Sequence, residues 1–375
     1  MKILAFGYNG GNHSWAHTSQ NICRSFKKLG HEVHIFSTNG IKHFPEDLKE
    51  NLKGYVEVNQ FAPPEKTTSL LKEYDLSISY TAPKNFQQYL YRGIKKYGIW
   101  TAEFSGRNSL PPGFCKNYKY VNKILAPSNF SKNIFIENNV PEEYLEVIPH
   151  GYSSSFINRT ESINIKTDRK FKFLINYGQL HKRKNISSVL EAWGRAFTDK
   201  DDVVLVAKLA IKPATNPFEI TWSTVFETFK KKYKNHAPII IIQDFIPDIS
   251  DIYRSCNALI SFGSEGFNLP VLECVASKKI PVCLDKGPHL DFTNENNAVY
   301  VKSTEVRAPV DYQYWQPSPY AKMFQPDIND AAEKLQYVFK NEVSLIQKFN
   351  NEQNRIRQEY SWDNIVQKIE ELSQK

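Results

Sequence analysis

Cysteine is scarce in this chain and follows no pattern. Cys23, Cys115, Cys256, Cys274 and Cys283 are odd in number, lack any C-x-x-C or metal-like spacing, and three of them sit in apolar runs. That excludes a disulfide framework and a zinc cluster, and is expected of reduced core thiols in a cytoplasmic protein. Long hydrophobic runs are missing too. No stretch reaches membrane-spanning length, so any membrane contact is expected to be peripheral, at the inner face. The opening MKILAFGYNGG has one lysine and few apolar residues before its glycines, and reads as a first strand rather than a secretory signal. Without such a signal, the Asn-x-Ser/Thr strings at Asn12 and Asn185 are chance in an Asn-rich chain. A dinucleotide fingerprint is also lacking, because Gly7, Gly10 and Gly11 do not supply G-x-G-x-x-G, which disfavours NAD. No internal repeat or low-complexity tract stands out.

What is present centres on Ala258 to Leu284, ALISFGSEGFNLPVLECVASKKIPVCL. A β-leaning apolar run (Ala258 to Phe262) turns through Gly263, Ser264, Glu265 and Gly266. A helix is expected from Asn268, which can cap it, with Pro270 in the first turn where a missing N–H costs nothing. Ile280 to Leu284 is a second strand. Such a unit sets a helix N-terminus at the carboxyl end of a parallel sheet, the usual ligand position in open α/β sheets. Glu265 lies on the loop and Glu273 just inside the helix, with the backbone amides of Phe267 to Leu269 facing the same space. Amides and a positive helix end suit a diphosphate; carboxylates suit sugar diols. A phosphate flanked by two polyols is a nucleotide sugar.

The string Glu265, Gly266, Phe267, Asn268, Leu269, Pro270, Val271, Leu272, Glu273, followed by Pro281 and Val282, resembles the E-G-F-G-x-P-x-L-E segment of retaining glycosyltransferases of the GT-B fold, family 4. Asn268 stands where that family has glycine, and Lys278 and Lys279 stand where its helix ends on one. The resemblance implies an α/β chain of GT-B type: two Rossmann-like domains facing a central cleft. The implied layout is an N-terminal acceptor-side domain over residues 1–152, rejoined by a C-terminal helix at 361–375. A linker over 153–170 and a nucleotide-sugar-binding domain over 171–360 complete it. The length of 375 residues accommodates two such domains.

Other stretches extend the resemblance. Gly10 and Gly11, between the first strand and a helix from about Trp15 to Leu29, resemble the glycine loop beneath the family's donor; they also suit a tight turn. Trp100, Glu103, Ser105 and Leu110-Pro111 loosely resemble a W-E-x-S-x-L-P loop, which would make Glu103 the group that orients or deprotonates the acceptor hydroxyl. Ser128 is expected to cap a helix. His150 replaces the usual Asn of an interdomain turn, and either the cleft or linker packing accounts for it. His181, Lys182, Arg183 and Lys184 follow the strand Phe171 to Tyr177 and precede a helix, where four such side chains oppose the macrodipole. A diphosphate would explain them. Lys184 falls on the lysine of the family's G-R-L-x-x-x-K-G, Gln179 replaces its arginine, and Arg183 is the substitute. Phe245 and Ile246 are expected to wall the nucleobase. Asp199-Lys200-Asp201 matches a D-x-D string but reads as a polar turn. Tyr312, Tyr314, Trp315, Tyr320 and Phe324 form a surface strap or an acceptor wall.

The activity implied is transfer of a sugar, with retention, from a UDP- or GDP-sugar to an acceptor hydroxyl on a glycan or lipid-linked glycan, with no metal and no cofactor. Glu265 would hold the sugar hydroxyls, Glu273 the ribose diol, and Lys184, Arg183 and the loop amides of Gly266, Phe267, Asn268 and Leu269 the diphosphate. Alternatives are transfer to modified bases in nucleic acid, a GT-B sugar-nucleotide epimerase, and a non-catalytic nucleotide-sugar-binding protein. The formal charge of +8 and pI near 8.9 permit an anionic partner, a phospholipid surface or nucleic acid, but fit a mildly Lys-rich protein equally.

Overall fold

The computed structural model describes residues 1–11, 13–38, 40–41, 43–55, 74–86, 93–178, 180–209, 221–309 and 318–375. They divide into two compact units. One comprises Met1–Ala102, Gly106–Ser153 and Tyr360–Lys375; the other comprises Ser154–Glu359 and, from within the first stretch, Glu103–Ser105.

The first unit is built on a parallel seven-stranded sheet: β1 (Lys2–Gly7), β2 (Glu32–Ser37), β3 (Leu52–Tyr55), β4 (Tyr74–Tyr80), β5 (Gly93–Ile99), β6 (Lys123–Ala126) and β7 (Leu145–Val147), in the order β3-β2-β1-β4-β5-β6-β7. The near-continuous apolar run of β1, buried from Ile3 onward, is what a strand covered on both faces requires. Strand β1 pairs with both β2 and β4, so the order reverses between β1 and β4. The helix α1 (Ser14–Lys28) and the C-terminal helix Trp362–Gln374 pack on this sheet. Ile22, Phe26, Trp362, Ile365, Val366 and Ile369 share one core with Ile3, Ile35, Ile78 and Ile99. Ser128 and Ser361 cap their helices by accepting from Ser131 N and Asn364 N. His150 is a packing residue, buried between the rings of Tyr80 and Trp362, and burial pushes its imidazole down to about 3.

The second unit carries a parallel six-stranded sheet of β8 (Phe171–Tyr177), β9 (Val203–Leu209), β10 (Ile239–Ile242), β11 (Ala258–Ser261), β12 (Ile280–Leu284) and β13 (Val299–Val301), ordered β10-β9-β8-β11-β12-β13. Its switch of direction falls between β8 and β11. Helix α2 (Ile186–Ala196) buries Ile186, Val189, Leu190 and Trp193, one stripe at helical spacing. The turn at Asp199–Asp201 is structural: the Asp201 carboxylate accepts from Thr198 N at 2.7 Å and Thr198 Oγ1 at 2.9 Å.

One element has no signal in the sequence. β14 (Ser303–Arg307) and β15 (Lys322–Pro326) form an antiparallel pair. Ser105 extends it, exchanging backbone hydrogen bonds with Lys322 at 3.0 and 3.1 Å, while Phe104 packs with Ala308, Ala321 and Met323. Of the aromatic segment, Tyr312, Tyr314 and Trp315 lie outside the described residues, Tyr320 is exposed and Phe324 is buried on β15. Asn12 and Gln179 also lie outside them. No described helix is long and apolar enough to cross a membrane.

Candidate active site

In the second sheet the strand ends beside the switch point are Tyr177 of β8 and Ser261 of β11, and the loops that leave them carry most of the residues singled out above. From β11 the chain passes through Gly263 to Gly266 and enters helix α3 (Leu269–Ala276), with Pro270 in its first turn. Asn268 occupies the N-cap position without capping the helix, contrary to the expectation from sequence. Its backbone is left-handed, at φ 68°, and its side chain makes no bond to the first turn. Asn is among the few residues that tolerate this conformation, which explains why it replaces a glycine. The carboxamide is engaged instead with Ser261, whose Oγ donates to Oδ1 at 2.9 Å, and with His289 Nδ1 at 3.4 Å. His289 Nε2 lies 2.7 Å from the Leu284 carbonyl and must be its donor, so Nδ1 accepts from Asn268. Burial keeps that imidazole neutral, pushing it down to about 4. The loop before α3 is thereby fixed from behind.

From β8 the chain makes a tight turn at Lys182–Lys184, and Asn185, also left-handed at φ 53°, leads into α2. Asn185 Nδ2 donates to the carbonyls of Phe262 at 2.7 Å and Phe324 at 2.8 Å, binding the basic turn to β11 and to the hairpin. Ser264 is held likewise: its amide donates to Arg183 O at 2.9 Å, and its hydroxyl accepts from Phe324 N at 2.8 Å.

These anchors converge four charged side chains. Arg183 Nη1 donates to Glu265 Oε2 and to the Ser264 carbonyl, both at 2.8 Å, and Nη2 forms an ion pair with Glu103 Oε1 at 2.8 Å. Lys184 Nζ donates to Glu265 Oε1. All four side chains are between 9% and 15% exposed, so each charge depends on its partners. Gly263 makes the approach possible, since a Cβ there would stand 2.8 Å from Glu265 Oε1 and 3.3 Å from Lys184 Cδ. Burial alone would push Glu265 up, but Arg183 and Lys184 together hold it well below the usual carboxylate range. Burial dominates at Glu103, raising its carboxyl despite Arg183, and at Lys184, lowering its ammonium despite Glu265.

Glu273, on α3, has different surroundings. Tyr253 donates its hydroxyl to Glu273 Oε2 at 2.8 Å and accepts from Asn176 Nδ2 at 3.2 Å. Burial pushes the Glu273 carboxyl up to about 8, against the Tyr253 hydrogen bond, and Asp248 raises it further. Asp248 belongs to the loop that carries Phe245, which is 69% exposed, and Ile246, which is half-buried.

The remaining candidates divide clearly. Phe267 is buried against Phe292, ring centroids 5.2 Å apart, so its ring packs inward and only its backbone faces the loop; Gly266 is buried and Leu269 half-buried. Gly10 and Gly11 belong to the first unit. A Cβ on Gly10 would stand 1.9 Å from the Gly40 carbonyl oxygen, so glycine is required there by a close backbone approach. Behind them the buried Asn9 accepts from Ser19 Oγ, and Gln20 Nε2 donates to the carbonyls of Asn9 and Gly11. Sequence reasoning missed Tyr253, Asn185 and Ser264. Asn185 alone carried a signal, as an asparagine immediately before an apolar-periodic helix. Among the described residues no group of His, Cys, Asp or Glu is arranged to hold a metal ion.

Two doubly wound parallel sheets, with a loop-and-helix site at the switch point of the second, define the chain as a GT-B fold of the kind found in glycosyltransferases. No family model matches the sequence. The protein named "Putative glycosyltransferase 45" of Sulfolobus islandicus filamentous virus (isolate Iceland/Hveragerdi) is 23% identical over 385 residues, covering 96% of this chain and 91% of the viral one. Among solved structures, Anabaena Alr3699/HepE in complex with UDP-glucose is similar at a TM-score of 0.71 and 14% identity over 99% of both chains. A glycosyltransferase from Rickettsia africae ESF-5 reaches 0.72 at 17% identity, covering 99% of this chain and 98% of that one. Sucrose-phosphate synthase from Thermosynechococcus elongatus reaches 0.73 at 11% identity, covering 100% and 98%.

Proposed function

We propose that this chain is a metal-independent glycosyltransferase of the family 4 type, transferring a sugar with retention from a UDP-sugar, or failing that a GDP-sugar, to a hydroxyl of a glycan or lipid-linked glycan. The observation that carries the reading is the convergence of buried Arg183 and largely shielded Lys184 with Glu265 beside the N-terminus of α3. Two cations shielded from solvent beside a helix N-terminus suit a leaving diphosphate, whose developing charge is the main electrostatic demand as the glycosidic bond breaks toward an oxocarbenium-like state. Glu265 then holds sugar hydroxyls. Glu273, oriented by Tyr253, takes the ribose diol, and Phe245 and Ile246 flank the base. The preference for uridine is supported by Alr3699/HepE, which was solved with UDP and with UDP-glucose.

The test is a thermal-shift and diphosphate-release panel of UDP-, GDP-, ADP- and CMP-sugars on the protein and on Glu273→Ala. One nucleotide sugar is expected to raise the melting temperature of the wild type and to be released as its nucleoside diphosphate, with both responses lost in the variant. Silence across the whole panel would sink the reading.

A further inference from the structure

Arg183 and Lys184 are suited to an anion, yet in this structure their charges are already met. Two carboxylates face two cations in the cluster, so the formal charge of the four side chains sums to zero. Leaving cations so shielded from water uncompensated is strongly unfavourable. A ligand's diphosphate must therefore take over contacts that a carboxylate already holds. The two carboxylates are not equally held. Glu265 is gripped by both cations, and the loop that bears it is tied to Arg183 through Ser264. Among the described residues Glu103 has a single ion-pair contact, Arg183 Nη2 at 2.8 Å, although Glu265 and Lys184 also lie within its electrostatic reach. Its backbone is anchored independently, by the Ser105–Lys322 pairing and by Phe104 in its apolar cluster. The Glu103 side chain can thus leave Arg183 without moving the segment that carries it.

We propose that Glu103 is a built-in competitor for the anion site, exchanged off Arg183 by the incoming diphosphate, and that it sets the minimum charge a ligand must bring. This rests on the diphosphate reading of Arg183 and Lys184, and assigns Glu103 to Arg183 rather than to the acceptor hydroxyl. A ligand with a single phosphate recovers too little from Arg183 and Lys184 to offset the displaced ion pair. A diphosphate recovers enough. Discrimination by a repulsive group that only the right partner overcomes is a general route to specificity, and linkage makes the competition reciprocal.

The test is calorimetric titration of the full-length protein with inorganic pyrophosphate, UDP and UMP at low salt, in the wild type, Glu103→Gln and Lys184→Ala. Glu103→Gln keeps the shape and removes the competing charge. It is expected to bind pyrophosphate at least tenfold more tightly than the wild type and to narrow the UDP-over-UMP preference. A purely structural role for Glu103 predicts weaker binding or none. If UDP binds the wild type and loses Lys184→Ala, while Glu103→Gln binds pyrophosphate no more tightly, the competitor role is overturned and the diphosphate reading stands. If no anion binds any of the three proteins, both fall. Should Glu103→Gln fail to fold, Glu103→Asp, which withdraws the carboxylate by one methylene, is expected to show a smaller gain of the same sign; no gain would overturn the proposal.

Discussion

At the scale of single residues, Glu273 has a consequence that reaches beyond binding. Its carboxyl titrates at about 8 in the folded protein because it is buried, whereas in an unfolded chain it ionises near its ordinary value of 4.5. Below pH 4.5 both states hold the proton and burial costs nothing through ionisation. Between 4.5 and 8 the unfolded chain releases it and the folded protein does not, so stability falls as pH rises, by up to about 1.4 kcal/mol per pH unit. Above 8 the loss levels off. Glu273→Gln removes this dependence while preserving an acceptor for the Tyr253 hydroxyl. Urea denaturation at pH 5, 6.5 and 8 is expected to show the variant gaining on the wild type at each step. Parallel curves would mean that the carboxyl ionises freely in the folded protein.

At the scale of elements, the site depends on two asparagines in left-handed conformations at the ends of loops. Asn185 joins three segments through its two carboxamide donations, to Phe262 at the end of β11 and Phe324 on β15. Asn185→Ala leaves two buried carbonyls short of a donor and gives up asparagine's tolerance of the left-handed conformation, a loss of about 3 kcal/mol. Asn185→Gly forfeits the same hydrogen bonds without the conformational term and is expected to lose about 1 kcal/mol less. Equal losses in urea melts would show that the backbone conformation contributes nothing. These two loops also mark where the sequence stopped being legible. Strands such as Phe171–Tyr177, Val203–Leu209 and Ile280–Leu284 are apolar runs buried on both faces, and helix α2 has a clean 3.6-residue stripe, so pattern alone finds them. The β14–β15 hairpin lacks such a pattern, because its five-residue strands are mostly polar on one and mixed on the other. The Arg183 cluster was legible by residue type but not by partner. Nothing local to Glu103 says that its carboxylate meets a guanidinium eighty positions away. Asn268 shows the converse error: its residue type suits a cap, but a left-handed backbone turns its side chain toward Ser261 and His289 instead.

At the scale of the whole molecule, the first unit is discontinuous in sequence: its sheet is complete by Val147, yet its core closes only with the C-terminal helix. Trp362, Ile365, Val366 and Ile369 are buried among the residues of β1, β2, β4 and α1. Gly151 accommodates the approach, since a Cβ there would stand 2.7 Å from Trp362 N, and Tyr152 N donates to Tyr360 O at 3.1 Å. Ser25 and Lys28 of α1 both bond the Asp363 carboxylate. Burying the three aliphatic side chains alone contributes about 4 to 9 kcal/mol as an upper estimate. That rivals the entire stability of an ordinary domain, about 5 to 15 kcal/mol. A chain ending at Glu359 is therefore expected to lose the cooperative unfolding of its first unit, while the second unit, whose sheet and hairpin lie wholly within residues 103–105 and 154–359, keeps its own transition. Calorimetry of the truncated chain, with and without a peptide spanning Tyr360–Lys375, distinguishes the outcomes. Restoration of a first-unit transition by the peptide would show that the helix completes a preformed site, and a truncated chain that melts like the full one would show that the sheet of the first unit stands without it.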